Sequence, residues 1–468
     1  MLRGGGAVAV LASAAAFGVA APSGASSAPT PVTEASTSAR GVTATTINVV
    51  FPIISFASIE GQYEIESDAE YGEQTKAINL FVNQINNDGG INGRKINAMI
   101  VPFDPTNVDE QRALCKQWTQ GSPPVFAVLD GLGTFEGVNE LCVTREGHTP
   151  MLSQWTTTTN WTDLGAPYLW WTGADDAPIL AATVSWGVSS GRLGHGTKVG
   201  VVVSDQASDQ DALNSYLLPD LKKAGIVPQV VTVAAAIDET ATTDSDATLA
   251  VERFKSEGIQ SVIPLLPDNA FTPYIGAETS QDYFPKLLLS DYQSEIEIAL
   301  GLIPIPYDKA LNGQEGVTAE TLGGIDLPRP ESQGGYDPGV RSCWTVWHKA
   351  YPQTPKGNLN DDIEEQGPVQ GWCQEINLFA KAATMAGKDL NRRTFVEAMS
   401  RVTDFPGGYS PVLSYGPDKF YGPTQYRVVE VHDNHPPTTL CKHGPVGSPP
   451  AGVCWVIEQN WTPLPKAG

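Results

Sequence analysis

Residues 77–94 read AINLFVNQINNDGGINGR, and the order of apolar and breaking residues in that stretch decides what the chain can build. Ala77, Ile78, Phe81, Val82 and Ile85 recur at helical spacing, so one face of a helix over 71–86 must pack on an apolar surface. Asn87, Asp88, Gly89 and Gly90 then stop it, because the left-handed conformation that closes a helix is best tolerated by Gly and Asn. On the N-terminal side, Thr46-Ile47-Asn48-Val49-Val50-Phe51 is an apolar, β-branched run of strand length. On the C-terminal side, 95–101 is a second strand, ending at Phe103-Asp104-Pro105. Strand, helix and strand in this order form the unit of a parallel sheet covered on both faces.

Working outward, the beat continues with a helix over 108–118, a strand over 125–129, a helix over 137–145 and a strand over 150–152. It restarts with a helix over 179–186 and a β-branched strand over 198–203, then a helix over 213–224 and a strand over 229–233. A helix over 247–255 and strands over 261–266 and 286–289 complete it. Two successive blocks of the same alternation predict two lobes of similar build, as does a length of 468 residues, too great for one ordinary core.

Bulk properties exclude several function classes. A formal net charge of −23 argues against nucleic acid, whose phosphates require clustered Lys and Arg. Arg3 followed by an apolar stretch over 7–21 and small residues to Ala28 reads as a signal peptide over 1–27, and the Ser, Thr and Pro of 28–41 as a flexible leader. No later run approaches the roughly 18 apolar residues that span a bilayer, so a soluble chain outside the cytoplasm is expected. The six cysteines form no CxxC and no Cys/His cluster at metal spacing. Fifteen pairings are open to them, and proximity favours Cys115 with Cys142, Cys343 with Cys373 and Cys441 with Cys454.

The block over 77–94, with its flanking strands, resembles the opening of type I periplasmic binding proteins of the branched-chain amino acid group. Cys115 and Cys142 sit like a disulfide of that family, and 313–318 resembles its strand leading back to the first lobe. The similarity spans about 42–431 and weakens after Glu320. The implied fold is α/β, with two doubly wound parallel-sheet lobes joined by a three-strand hinge. The first lobe would comprise 42–177 plus 319–420, the second 178–318 plus 421–468. The stretch 432–455 resembles a disulfide-closed insertion. The implied activity is capture of a small polar, amino-acid-like solute for the permease of an ABC importer, with membrane contact only through that partner. No catalysis, cofactor or metal is implied. A sensory module using the same clamp and a secreted hydrolase are the competing readings.

Ligands of open parallel sheets gather at the carboxyl ends of the strands. By family position, Ser153 and Thr156 would donate to a ligand carboxylate, Asp291 would face an ammonium, and Trp155 would form a stacking wall. Asp205 or Asp209 falls where relatives carry an aromatic residue, and Phe271 or Tyr292 would cover an apolar part of the ligand. Asp130 departs from the small hydroxyl residue of many relatives. An acid-rich cleft would favour a cationic or polyhydroxyl ligand. Other motifs carry less. Gly187-Val188-Ser189-Ser190-Gly191 has the letters of a nucleophile elbow but follows a helix pattern, where the strained strand-to-helix turn is missing. The histidines lack metal spacing, Gly131-Leu132-Gly133 lacks a third glycine, and the acidic run 361–365 lacks the glycine of a calcium loop.

Overall fold

The computed structural model describes residues 39–55, 67–104, 107–131, 138–154, 158–194, 196–236, 240–296, 299, 307–321, 338–352, 363–433 and 453–465, without the side chains of 67–73, 138, 294, 363–368 and 453–455. The expected signal peptide, Trp155, Thr156, Cys441 and the side chain of Cys454 lie outside the described residues.

Strands β1 (Thr46–Ile54), β2 (Lys95–Phe103), β3 (Ala127–Asp130), β4 (Met151–Ser153) and β5 (Leu169–Trp171) form a parallel sheet in the order β2-β1-β3-β4-β5. Helices α1 (Ser67–Asn87), α2 (Val108–Gln120), α3 (Val138–Leu141) and α4 (Thr159–Gly165) connect them. Because side chains alternate along a strand, Ile47, Val49, Phe51 and Ile53 of β1 enter one apolar cluster with Phe81 of α1. Val50 and Ile54 enter another with Trp118 of α2. Both faces are dry, which is why β1 reads as a near-continuous apolar run; each such side chain contributes about 1.5–3 kcal/mol on burial. The expected helix over 137–145 is α3 continued as a π-helix over Cys142–Glu146, held to α2 by the disulfide Cys115–Cys142.

The chain then enters α5 (Asp176–Ser189) and lays down β6 (Val199–Ser204), β7 (Gln229–Val233), β8 (Ser261–Leu265), β9 (Lys286–Ser290) and β10 (Gln314–Thr318) in the order β7-β6-β8-β9-β10. The winding repeats that of the first sheet. Helices α6 (Ala207–Ala212), α7 (Leu218–Lys223), α8 (Thr240–Glu257), α9 (Asp268–Ser280) and α10 (Asp308–Leu311) complete this half. Val201 and Val203 of β6 pack with Leu180 of α5, while Val202 packs with Phe254 of α8 and Phe271 of α9.

From β10 the chain returns to the first sheet, where α11 (Pro338–Ala350), α12 (Ile363–Ala386), α13 (Arg392–Met399) and the small hairpin of β11 (Phe405–Pro406) and β12 (Val412–Leu413) are found. Trp347, Trp372, Phe395 and Leu413 from these elements join the cluster that holds Ile47 and Phe81. The disulfide Cys343–Cys373 links α11 to α12. Finally β13 (Gln425–Asp433) runs antiparallel beside β10, and β14 (Val453–Pro463) antiparallel beside β13, so the second sheet has seven strands rather than a purely parallel set. The ends of the stretch expected as an insertion are therefore strand: His432 pairs with Cys454 and Val431 with Trp455.

Three segments pass between the sheets, at 172–175, 319–321 and 421–424, and hydrogen bonds tie them or the residues beside them to the first half. Trp171 N–H donates to Phe420 O at 2.7 Å and Thr321 N–H to Tyr409 O at 2.7 Å. Ser410 Oγ donates to Thr172 O at 3.3 Å. Ala174, Ile179 and Ala319 form a small apolar contact among them.

Candidate functional site

Strand order reverses between β1 and β3 and again between β6 and β8, the points at whose carboxyl ends open α/β sheets take their ligands. In the first sheet the residues at those ends are Asp130, Gly131, Ser153, Gln154 and Thr172, and α12 descends directly onto them. A Cβ at Gly371 would fall 2.1 Å from the Gly131 carbonyl oxygen and 2.3 Å from Gln154 Oε1, so only glycine permits this approach. The close pass brings Trp372, Gln374 and Glu375 to the strand ends. Thr172 Oγ1 lies 3.1 Å from Ser153 O and 3.3 Å from Glu375 Oε1. The N–H of Asp130 donates to the Glu375 carboxylate. Gln374 Oε1 accepts from Tyr409 N–H at 2.9 Å and Ser410 N–H at 3.1 Å.

This layer is buried, yet much of its hydrogen-bonding capacity is unused. Ser153 Oγ, both ends of the Gln154 amide, Trp372 Nε1, Gln374 Nε2 and Glu375 Oε2 have no partner among the described residues. Such groups are rare in protein interiors, because each costs about 1–3 kcal/mol when left unmade. Burial first, and then the neighbouring Asp130 carboxylate, hold the Glu375 carboxyl well above the usual carboxylate range.

In the second sheet Asp209 is saturated. Ser204 Oγ donates to Asp209 Oδ2, while the Tyr292 hydroxyl and Gln293 Nε2, at 2.9 Å for the latter, donate to Asp209 Oδ1. Gln293 adopts φ 54°, the left-handed region unusual for a side chain of its size, and its amide is one of these donors. Burial raises the Asp209 pKa and the three hydrogen bonds oppose it. Asp209 and Tyr292 thus staple α6 to the turn after β9. Glu295 accepts from Ser290 N–H at 3.2 Å through Oε2; its Oε1 has no partner among the described residues, and burial pushes its carboxyl well up.

The remaining sequence candidates fall elsewhere. Asp291 is half engaged: its Oδ2 accepts from Ala319 N–H at 2.6 Å and Arg427 is its counter-charge, while its Oδ1 has no partner among the described residues. Burial nevertheless brings its pKa to about 7. The Arg427 guanidinium also donates to Thr321 O at 2.7 Å, so this pair belongs to the crossings. Phe271 is fully buried in the second core, because α9 turns that face to the sheet, and it cannot cover a ligand there. Asp205 is exposed, and its Oδ1 accepts from Ala235 N–H at 3.1 Å at the end of β7. The fold brings Asp130 and Ser153 together, directly opposite each other in the β3–β4 register, as it does Asp209 and Tyr292 in the second sheet. Ser189 ends α5 and donates to Trp186 O at 3.0 Å, a helical position with no elbow.

Polar contacts also link the halves beside the first crossing. Thr159 N–H and Oγ1 donate to Asp176 Oδ1 at 2.8 and 2.7 Å, and Tyr216 of the second half lies against the same threonine. Burial raises Asp176 to about 7. Lys419, lowered to about 7 by burial against the pull of Asp175, donates to the carbonyls of Ser414, Tyr421, Gly422 and Pro423. The carboxylates of Glu315, Glu430 and Glu458 come within 4.8 Å of one another on β10, β13 and β14, the one group among the described residues with metal-like spacing. Arg192 and His432 already pair with two of them, at the opposite end of β10 from Thr318.

Sequence reasoning missed Glu375, Gln374 and Gln154 as site residues. The available signal was the polar triplet Gln370, Gln374 and Glu375 set among Val369, Trp372, Cys373 and Ile376, a helix segment polar on one side. A polar helix side is ordinarily solvated, and only the pass of Gly371 over β3 and β4 buries this one.

The chain matches the family model described as periplasmic binding protein over residues 67–303. No curated protein matches it in sequence. Its fold is similar to that of a fatty acid ABC transporter substrate-binding protein from Thermomonospora curvata, at 16% identity and TM-score 0.59, covering 93% of this chain and 96% of that one. A solute binding protein of an ABC transporter from Rhodopseudomonas palustris, solved with 3,4-dihydroxy benzoic acid, aligns at 13% identity and TM-score 0.60 over 90% of this chain and 98% of that one. A leucine binding protein from Thermotoga maritima aligns at 14% identity and TM-score 0.57 over 83% and 95%. At such identities the likeness is one of fold.

Proposed function

Because the chain belongs to the periplasmic binding protein family, we propose that it captures a small polar solute in the groove between its two lobes and presents the closed form to the permease of an ABC importer. No bond is made or broken in this reading. The lobes are 42–177 plus 319–420 and 178–318 plus 421–468, hinged at the three crossings. One observation carries the proposal: two sheets whose parallel strands are wound alike, joined by three crossings, bear at their carboxyl ends buried polar groups without partners among the described residues, on Ser153, Gln154 and Glu375 in one and on Asp291 and Glu295 in the other. A bound solute supplies those partners, and Ser153, Gln154 and Asp130 are the first-lobe contacts, with Trp155 and Thr156 following them in sequence. No helix among the described residues is long and apolar enough to cross a membrane, and the leader over 1–27 directs export.

Binding to the closed form alone stabilises it by mass action. A thermal-shift screen over amino acids, amines, sugars, aromatic acids and fatty acids is expected to give a dose-dependent rise in Tm for one class, and X-ray scattering with that solute a smaller radius of gyration. Ser153→Ala should weaken binding by about 1–3 kcal/mol. A bound solute that leaves the scattering profile unchanged would remove the clamp.

A further inference from the structure

The polar layer under α12 has a chemical character that narrows the solute class. Glu375 and Asp130 are both fully buried at the carboxyl end of β3, near enough that Asp130 disfavours ionisation of Glu375. The charges acting on Glu375 include no lysine or arginine among the described residues. One Glu375 oxygen is engaged by Thr172, and the other, Oε2, has no partner among the described residues. At the end of β4, Ser153 Oγ and Gln154 Oε1 likewise have no partner among the described residues.

Across the groove, Asp209 and Glu295 are buried acids beyond the ends of β6 and β9, and the Asp209 carboxylate disfavours ionisation of Glu295. The bases of this region are already committed: Arg427 faces Asp291 and the carbonyls of Glu320 and Thr321, and Lys419 is directed at four carbonyl oxygens beside Asp175. A carboxylate entering here would meet buried acids with no free counter-charge among the described residues, whereas a cation would relieve them. Asp291, where the family position implies an ammonium, has Oδ2 taken by the Ala319 N–H and Arg427 as its counter-charge, while its Oδ1 has no partner among the described residues.

Resting on the clamp reading above, we propose that Glu375, with Asp130 beside it, anchors a positively charged nitrogen of the solute, so that the substrate class is an amine or amidine and not a simple carboxylic acid. The ligand N–H groups donate to Glu375 Oε2, with Ser153 Oγ and Gln154 Oε1 as further acceptors. No covalent step is involved.

The test uses the full chain and calorimetric titration at neutral pH with putrescine and agmatine as cations, L-leucine as a zwitterion, and 3,4-dihydroxybenzoate and octanoate as anions. Each titration is accompanied by scattering. An amine-bearing compound is expected to bind and compact the protein, at least tenfold more weakly in Glu375→Gln. The same variant without ligand should melt at an equal or higher temperature, since a buried acid has been replaced by its neutral isostere. A merely structural Glu375 would move the melting temperature and leave affinity alone. Asp130→Asn should weaken amine binding in the same direction, and it serves as the second reading if Glu375→Gln does not fold. Anions that bind and compact both wild type and variant equally would overturn the anchor and leave the clamp standing. Amines that bind without compaction would instead remove the clamp. Amines that fail to bind, while any carboxylate does, would overturn the proposed class.

Discussion

Glu278 shows what a single residue contributes when its surroundings are set by the fold. It is fully buried on α9 with Tyr274 beside it, and burial pushes its carboxyl well above the ordinary carboxylate range. The folded state therefore keeps a proton that the unfolded chain releases near its ordinary value of 4.5. Stability linked to this group is complete below that value and is lost as pH rises towards the raised folded pKa. Thermal unfolding across that window is expected to show Tm falling with pH, and Glu278→Gln to flatten the slope and raise Tm in mild alkali by about 2–6 °C. An unchanged slope would mean that Glu278 is ionised at no cost. In sequence Glu278 is simply a polar residue on a helix, as Glu375 is. Asp291, Asp209 and Tyr292 were legible as strand-end residues, but Asp291 meets Ala319 after β10, and Asp209 after β6 meets Tyr292 and Gln293 after β9, so their roles were not.

At the scale of elements, α12 determines the first-lobe half of the site. Gly371→Ala sets two effects against each other. Replacing glycine in a helix gains about 1 kcal/mol from intrinsic propensity. Against it stands a Cβ placed 2.1 Å from a backbone oxygen that belongs to a strand end and has little room to yield. Overpacking of that kind costs about 1–3 kcal/mol and displaces the helix, so the net change is destabilising and solute binding is lost with it. Denaturant titration measures the first and calorimetry the second; full stability with full binding would show that α12 does not lie on the β3 and β4 ends. The strand–helix alternation up to β9 was readable because parallel strands buried on both faces carry apolar runs, as β1 and β6 do. The return of α11 to α13 to the first core was not, since nothing local in those helices says which sheet they cover.

For the whole molecule, the crossings are what make two lobes into one device. Asp291 accepts from Ala319 N–H and faces Arg427, whose guanidinium holds the carbonyls of Glu320 and Thr321, so one buried pair binds the second crossing to β13. Asp291→Asn keeps an acceptor for Ala319 but removes the counter-charge of Arg427. It is expected to cost about 1–3 kcal/mol of stability while leaving solute affinity within about twofold. A large loss of affinity with unchanged stability would return Asp291 to the ligand. The sequence by itself determined that this chain is an α/β protein of two similar halves, because apolar periodicity and helix stops are local properties of consecutive residues. Tertiary structure alone decided that Asp291 serves the crossings, that Phe271 is core, that β13 and β14 run antiparallel, and that Glu375 meets Asp130. Those facts depend on contacts between residues far apart in the chain, and the burial that turns an ordinary carboxylate into an unsatisfied one exists only once the chain has closed around it.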